Sequence, residues 1–125
     1  MTTTDKTVLL GNAFPFPLIR RNVNVRVVSV ESVRRALAGA RVFSFWGHLE
    51  TLPAAEKLLG ISLRPASPRP AITLSPDGLP VFAGHAFDRC YVVSPDCRPG
   101  YRHAVGGELA AADITGWQTL RIDWI

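Results

Sequence analysis

Between Ser29 and Gly60 the chain changes its apolar period twice, from helix to strand and back, and this constrains the fold more than any other feature. Val30, Val33, Leu37 and Ala40 recur every three or four residues, so residues 30–39 read as a helix with one apolar face. Ser29 is placed to cap it, Glu31 lies in its first turn and Gly39 stops it. Arg41 to Trp46 follows as a strand of β-formers: Val42, Phe43, Phe45 and Trp46. Leu52, Ala55, Leu58 and Leu59 then mark a second helix, with Thr51 as cap, Pro53 at its second position and Gly60 closing it. A strand between two one-faced helices needs further strands beside it, which makes the fold class α/β.

Those further strands are readable. Thr7 to Leu10 is a short apolar strand ended by Gly11-Asn12, and Ala13 to Pro17 is a rigid Pro-punctuated turn that no helix crosses. Asn22 to Ser29 alternates as a half-buried strand, with Val23, Val25 and Val27 on one side. Ile61 to Pro70 is an irregular connection. Ser75-Pro76-Asp77-Gly78 turns a hairpin between Ala71–Leu74 and Leu79–Phe82. Phe87 to Ser94 is a strand, Pro95 to Gly107 a loop, Glu108 to Ile114 a short helix, and Trp117 to Ile125 an alternating final strand. No repeat, low-complexity tract or linker divides residues 1–125, so the expectation is one domain with a mixed β-sheet and helices packed on it.

Composition narrows the class of function. Apolar residues are 47% and charged residues 19%, which is a core-forming chain and not a disordered one. No apolar run reaches the roughly 18–20 residues of a membrane span, and Met1 to Lys6 lacks a signal-peptide pattern, so the chain reads as cytoplasmic without a membrane partner. The formal charge of +4 suits an anionic partner such as RNA, DNA or a phosphorylated small molecule. Basic residues cluster at Arg20-Arg21, at Arg34-Arg35, and along Arg89, Arg98 and Arg102, without the long run of a nucleic-acid-binding tail. Cys90 and Cys97, the only cysteines, do not make a disulfide framework. With His85 and His103 they lack the short Cys-x2-Cys pair of structural zinc sites, so neither metal nor cofactor is expected.

The chemistry-bearing stretch is Phe45-Trp46-Gly47-His48-Leu49-Glu50-Thr51. It sets a histidine after a glycine and before a helix start. A phosphate-handling site uses all three: a proton donor near neutral pH, backbone N–H groups at a helix start, and a glycine that admits a ligand. Two further pieces accompany it. One is Val8-Leu9-Leu10-Gly11-Asn12-Ala13-Phe14; the other is Arg69 before Ala71-Ile72-Thr73-Leu74.

Together with the spacing from Gly47-His48 to Leu58-Leu59-Gly60, these segments resemble the anti-CRISPR ring nucleases of archaeal and bacterial viruses and type III CRISPR loci. The resemblance implies a small α/β homodimer. It would bind cyclic oligoadenylate, most typically cyclic tetra-adenylate, across the two-fold and cleave it without a metal, silencing type III CRISPR signalling. It makes His48 the catalytic residue and places Asn12, Ala13, Phe14, Thr51 and Arg69 along the ligand. Glu50, which either orients His48 or caps the helix, and Arg98, a phosphate candidate, join the set. The chain departs from the family pattern in three places: Pro15 stands where a Ser is usual, Glu50 stands at another Ser position, and Cys97-Arg98-Pro99-Gly100 lacks the Glu of the family's late Arg-Leu-Pro-Glu-Gly segment.

The implied reaction is attack of a ribose 2′-OH on its own phosphorus, with His48 protonating the departing 5′-oxygen. Long nucleic acid is not required. The alternatives are a non-catalytic cyclic-nucleotide sponge, a small RNA-binding or toxin–antitoxin-type protein, and a zinc-stabilised interaction domain.

Overall fold

The structure, a computed structural model, describes residues 6–47, 50–63, 71–97 and 114–125. Alternation of side chains along strands produces a central sheet that is apolar on both faces and therefore needs a layer on each. Its five strands run in the order β2 (Val23–Val27), β8 (Ile114–Trp124), β7 (Arg89–Cys97), β1 (Thr7–Gly11), β3 (Arg41–Ser44). β1 is parallel to both β3 and β7, while β8 is antiparallel to both β7 and β2. Helices α1 (Val30–Leu37) and α2 (Leu52–Leu59) pack on one face against Val8, Leu10, Tyr91 and Val93. A three-stranded antiparallel sheet of β4 (Thr73–Leu74), β5 (Pro80–Phe82) and β6 (His85–Ala86) belongs to the other face, where Leu9, Cys90, Val92, Ile122 and Trp124 meet Phe82 and Phe87. The expected mixed sheet with helices on it is what forms, with this small sheet as an additional layer.

Local chemistry sets the helix ends as the sequence predicts for α1. The Ser29 hydroxyl accepts the Ser32 N–H at 3.0 Å, and Gly39 takes a φ of 69°. At the end of α2, Gly60 adopts the left-handed conformation that a side chain disfavours (φ 72°), and its N–H donates to the Glu56 carbonyl at 2.8 Å. The Arg34 guanidinium donates to the Leu58 carbonyl and ties the two helices together.

Several elements differ from expectation. β2 is a sheet edge and not half-buried: Val25 is 54% exposed and Val27 77%. Period-2 alternation reports pairing, but not whether a second layer covers the strand. β7 runs on through Pro95 to Cys97, where a loop is expected, because β8 pairs with it as far as Ile114. β1 leaves β7 after Val92, so Pro95 sits where the strand has one free side, as a residue without an N–H requires. Ile114, expected at the end of a helix, opens β8; residues 108–113 lie outside the described residues. β6 has no sequence signal, since its turn is Ala83-Gly84 and Ala83 is the one non-glycine described with positive φ (51°). Two-residue hairpin turns normally advertise themselves with Asn, Asp or Gly at that position.

Candidate functional site at the carboxyl ends of β1 and β3

Two adjacent parallel strands deliver their following residues to the same edge of the sheet, the usual place for a ligand in an open α/β fold. β1 ends at Gly11 and leads into Asn12; β3 ends at Ser44 and leads into Phe45, Trp46 and Gly47. The Phe45 N–H still donates to the Leu10 carbonyl at 2.9 Å, carrying the pairing one residue past β3. The side-chain oxygen of Asn12 then accepts the Gly47 N–H at 2.9 Å, and the Asn12 carbonyl accepts the Ser94 hydroxyl at 2.6 Å. One half-buried asparagine therefore joins the segments that follow β1 and β3 to Ser94 within β7.

The close approach depends on Gly11. A Cβ there would lie 2.3 Å from the Phe45 ring, inside any permissible contact. With that space free, Phe45 turns into the core and packs edge-on to Phe14 (6.3 Å between ring centres) and Phe82 (6.2 Å). Phe14 is buried as well, 5.2 Å from the Trp124 ring. Its ring is committed to the core, so what it offers a ligand is backbone. Ala13 is exposed, and Phe16, two residues beyond Phe14, is 78% exposed in the short 3-10 turn Phe16–Leu18.

Thr51 precedes α2 but does not cap it through its side chain. Its backbone is already helical (φ −95°, ψ −8°), and its buried hydroxyl accepts the Trp46 indole N–H at 3.0 Å. A fully buried indole needs such an acceptor, and that need prevails over capping. Its backbone carbonyl accepts the Ala55 N–H at 3.1 Å and opens the helix. Glu50, just before it, is half-buried. His48, Arg69 and Arg98 lie outside the described residues. Of the candidate residues, the structure thus joins Asn12 to the glycine that precedes His48, ties the buried Thr51 to Trp46, and puts Phe14 in the core. Ser94 and Gly11 belong to the same arrangement and carry no sequence signal beyond the end of a strand.

Among the described residues no three metal-capable side chains come together. Cys90 is fully buried, and burial pushes its thiol up, which disfavours the reactive thiolate. His85 is exposed and stacks at 4.8 Å on Phe43; His103 lies outside the described residues.

No helix among the described residues is long and apolar enough to cross a membrane. No protein-family model matches the chain, and no curated protein sequence does. Among solved structures, the chain is similar to B116 of Sulfolobus turreted icosahedral virus, with a TM-score of 0.55 over 96% of this chain and 99% of that one. At 15% identity that likeness concerns architecture alone: the chain has the fold of a viral protein of nearly the same extent.

Proposed function

We propose that the protein is a ring nuclease that opens cyclic oligoadenylate, cyclic tetra-adenylate foremost, and so silences type III CRISPR signalling. The observation that carries this reading is the Asn12–Gly47 hydrogen bond. It joins, at one strand-end edge, the two segments whose wording resembles the ring nucleases. The viral origin of B116 is in keeping with it, since defeating an immune signal is a task for a virus. The basic balance of the chain suits an anionic ring.

In the proposed reaction the 2′-oxygen of one ribose attacks the adjacent phosphorus. The bond from phosphorus to the 5′-oxygen breaks, His48 gives that oxygen its proton, and the 2′ proton passes to water. The product is an opened strand ending in a 2′,3′-cyclic phosphate and a 5′-hydroxyl. The nucleophile belongs to the substrate, so the protein's task is alignment, charge stabilisation and proton delivery. A histidine, whose ordinary pKa is about 6.5, suits the last of these. A homodimer would present two copies of this edge to a ligand of repeated identical units.

The test is incubation with cyclic tri-, tetra- and hexa-adenylate in the presence of a chelator, with products separated by chromatography. Linear products that vanish in His48→Ala, while ring binding persists, support the proposal. Binding without turnover in the wild type assigns the sponge function instead, and affinity for linear RNA with no preference for rings removes the cyclic-nucleotide reading altogether.

A further inference from the structure

A second concentration of charge lies at the other end of the sheet. Strand register puts Arg89 opposite Asp123, Tyr91 opposite Arg121, Arg26 opposite Arg121 and Asn24 opposite Asp123. Alternation turns these side chains to the face that carries Tyr91 and Val93, the helix face. Asp123 holds two arginines at once: Arg89 donates its Nε to one carboxylate oxygen at 2.7 Å, and Arg121 donates its Nε to the other at 2.8 Å. Both bonds use Nε. The Nη groups of both arginines therefore have no acceptor among the described residues and are oriented by a carboxylate they share.

Among the described residues the charges do not balance. One carboxylate faces two guanidinium groups, and Arg26 stands directly across the ladder from Arg121, a like-charge pairing that weakens a sheet. Beside Arg89 a cavity of about 230 Å³ opens, lined by Lys6, Thr7, Val8, Asp88, Arg89 and Tyr91. It is smaller than the roughly 300–1,000 Å³ of pockets that enclose a whole drug-sized ligand. Among the described residues the cavity lining carries two cations (Lys6 and Arg89) and one carboxylate (Asp88), with room for one small group, while Arg121 and Arg26 follow Asp123 along the sheet and do not line it.

We propose that this arginine array, with the cavity that opens beside Arg89, forms a second anion site, which takes a phosphoryl group between the Nη groups of Arg89 and Arg121 that have no acceptor among the described residues, with Arg26 adding charge. Tolerance of the Arg26–Arg121 pairing then follows, because a bound dianion supplies the missing counter-charge. The site does not depend on the ring-nuclease reading. Thr7 starts β1 at this end and Asn12 follows it at the other, five residues or roughly 16 Å away.

The phosphoryl group could come from free phosphate or from a phosphodiester strand. The experiment titrates the full, isotope-labelled chain with inorganic phosphate and, separately, with a short single-stranded oligoadenylate, following arginine Nε–H and backbone amide resonances. Expected are saturable shifts at Arg89, Arg121 and the amides of residues 24–26. Arg121→Gln should weaken phosphate binding by about tenfold, and Arg26→Gln by roughly three- to fivefold. Arg26 is exposed and its side chain makes no hydrogen bond among the described residues, so its replacement keeps the test valid if Arg121→Gln proves unstable. A tighter complex with oligoadenylate, steeply weakened by salt, identifies a strand as the source; equal affinity per phosphate identifies a free phosphoryl group. Failure of these resonances to move up to about 50 mM phosphate, shifts confined to Asn12 and Gly47, or unchanged binding in both variants would overturn the site. None of those results bears on ring cleavage, and loss of ring cleavage leaves this site standing.

Discussion

The Trp46 indole N–H donates to the Thr51 hydroxyl at 3.0 Å, with both side chains buried. The bond closes the chain on itself across the four residues between, which include His48. It anchors the last residue before Gly47 to the first residue before α2. Trp46 and Thr51, which flank the candidate His48 in the sequence, thus both belong to the core.

Thr51→Val keeps the shape of the side chain and removes the acceptor. Removing one partner of a buried hydrogen bond costs about 1–3 kcal/mol. Urea unfolding should show a lower midpoint at unchanged slope, and Thr51→Ser should restore most of the loss. Equal midpoints for Thr51→Val and wild type would mean that the bond contributes nothing net.

Gly11→Ala places a methyl group against the Phe45 ring. Overpacking of this kind costs about 1–3 kcal/mol. Because Phe45 touches both Phe14 and Phe82, the thermal midpoint should fall, and the aromatic ring resonances of all three should shift in NMR spectra. Pairing this change with Phe45→Leu, which makes room, should recover part of the stability.

Asn12→Ala removes the acceptor of the Gly47 N–H while sparing the backbone carbonyl that Ser94 uses. Because Gly47 is exposed, water replaces the lost partner, and the expected destabilisation is only about 0.5–1.5 kcal/mol. Ring cleavage, measured as above, should fall by about tenfold or more, since placement of the segment before His48 is what is lost. Asn12→Asp retains the acceptor and should retain more activity than Asn12→Ala.

Burial alone would raise the Asp123 carboxyl, but the hydrogen bonds from Arg121 and Arg89 more than offset it and hold the group below its ordinary value. The unfolded chain then binds the proton at higher pH than the native one does. The stability from this carboxylate is complete above the ordinary carboxylate value of about 4 and is lost as pH falls through the lower native one. Asp123→Asn should lower the thermal midpoint at pH 7, by an amount equivalent to about 1 kcal/mol because the arginines are partly exposed. The gap between variant and wild type should narrow toward pH 3, and a constant gap would contradict this assignment.

Sequence pattern and structure agree best where one element's chemistry is local. Ser29, Gly39 and Gly60 mark helix ends by capping and by left-handed backbone, both readable residue by residue. The Ser75-Pro76-Asp77-Gly78 turn is legible for the same reason, and the Ser75 hydroxyl accepts the Leu79 N–H at 3.0 Å. What depended on neighbours was not legible. Val23 to Val27 alternates like a covered strand, yet nothing local says that it lies at the edge. Thr51 looks like a cap, and only the arrival of the Trp46 indole redirects its hydroxyl. Phe14 looks equally suited to stack on a base or to fill the core; its proximity to Trp124, 110 positions along the chain, decides for the core. At the candidate site the residue types of Asn12 and Gly47 are visible in the sequence, but the bond between them is set by the parallel pairing of β1 with β3.

The Asn12–Gly47 contact has a kinetic corollary. A backbone amide held by a side-chain carboxamide, at a solvent-facing position, trades its proton for deuterium only when that carboxamide swings away. The Gly47 amide is therefore a built-in stopwatch for opening of this edge, and its exchange rate counts openings whether or not a ligand is ever identified.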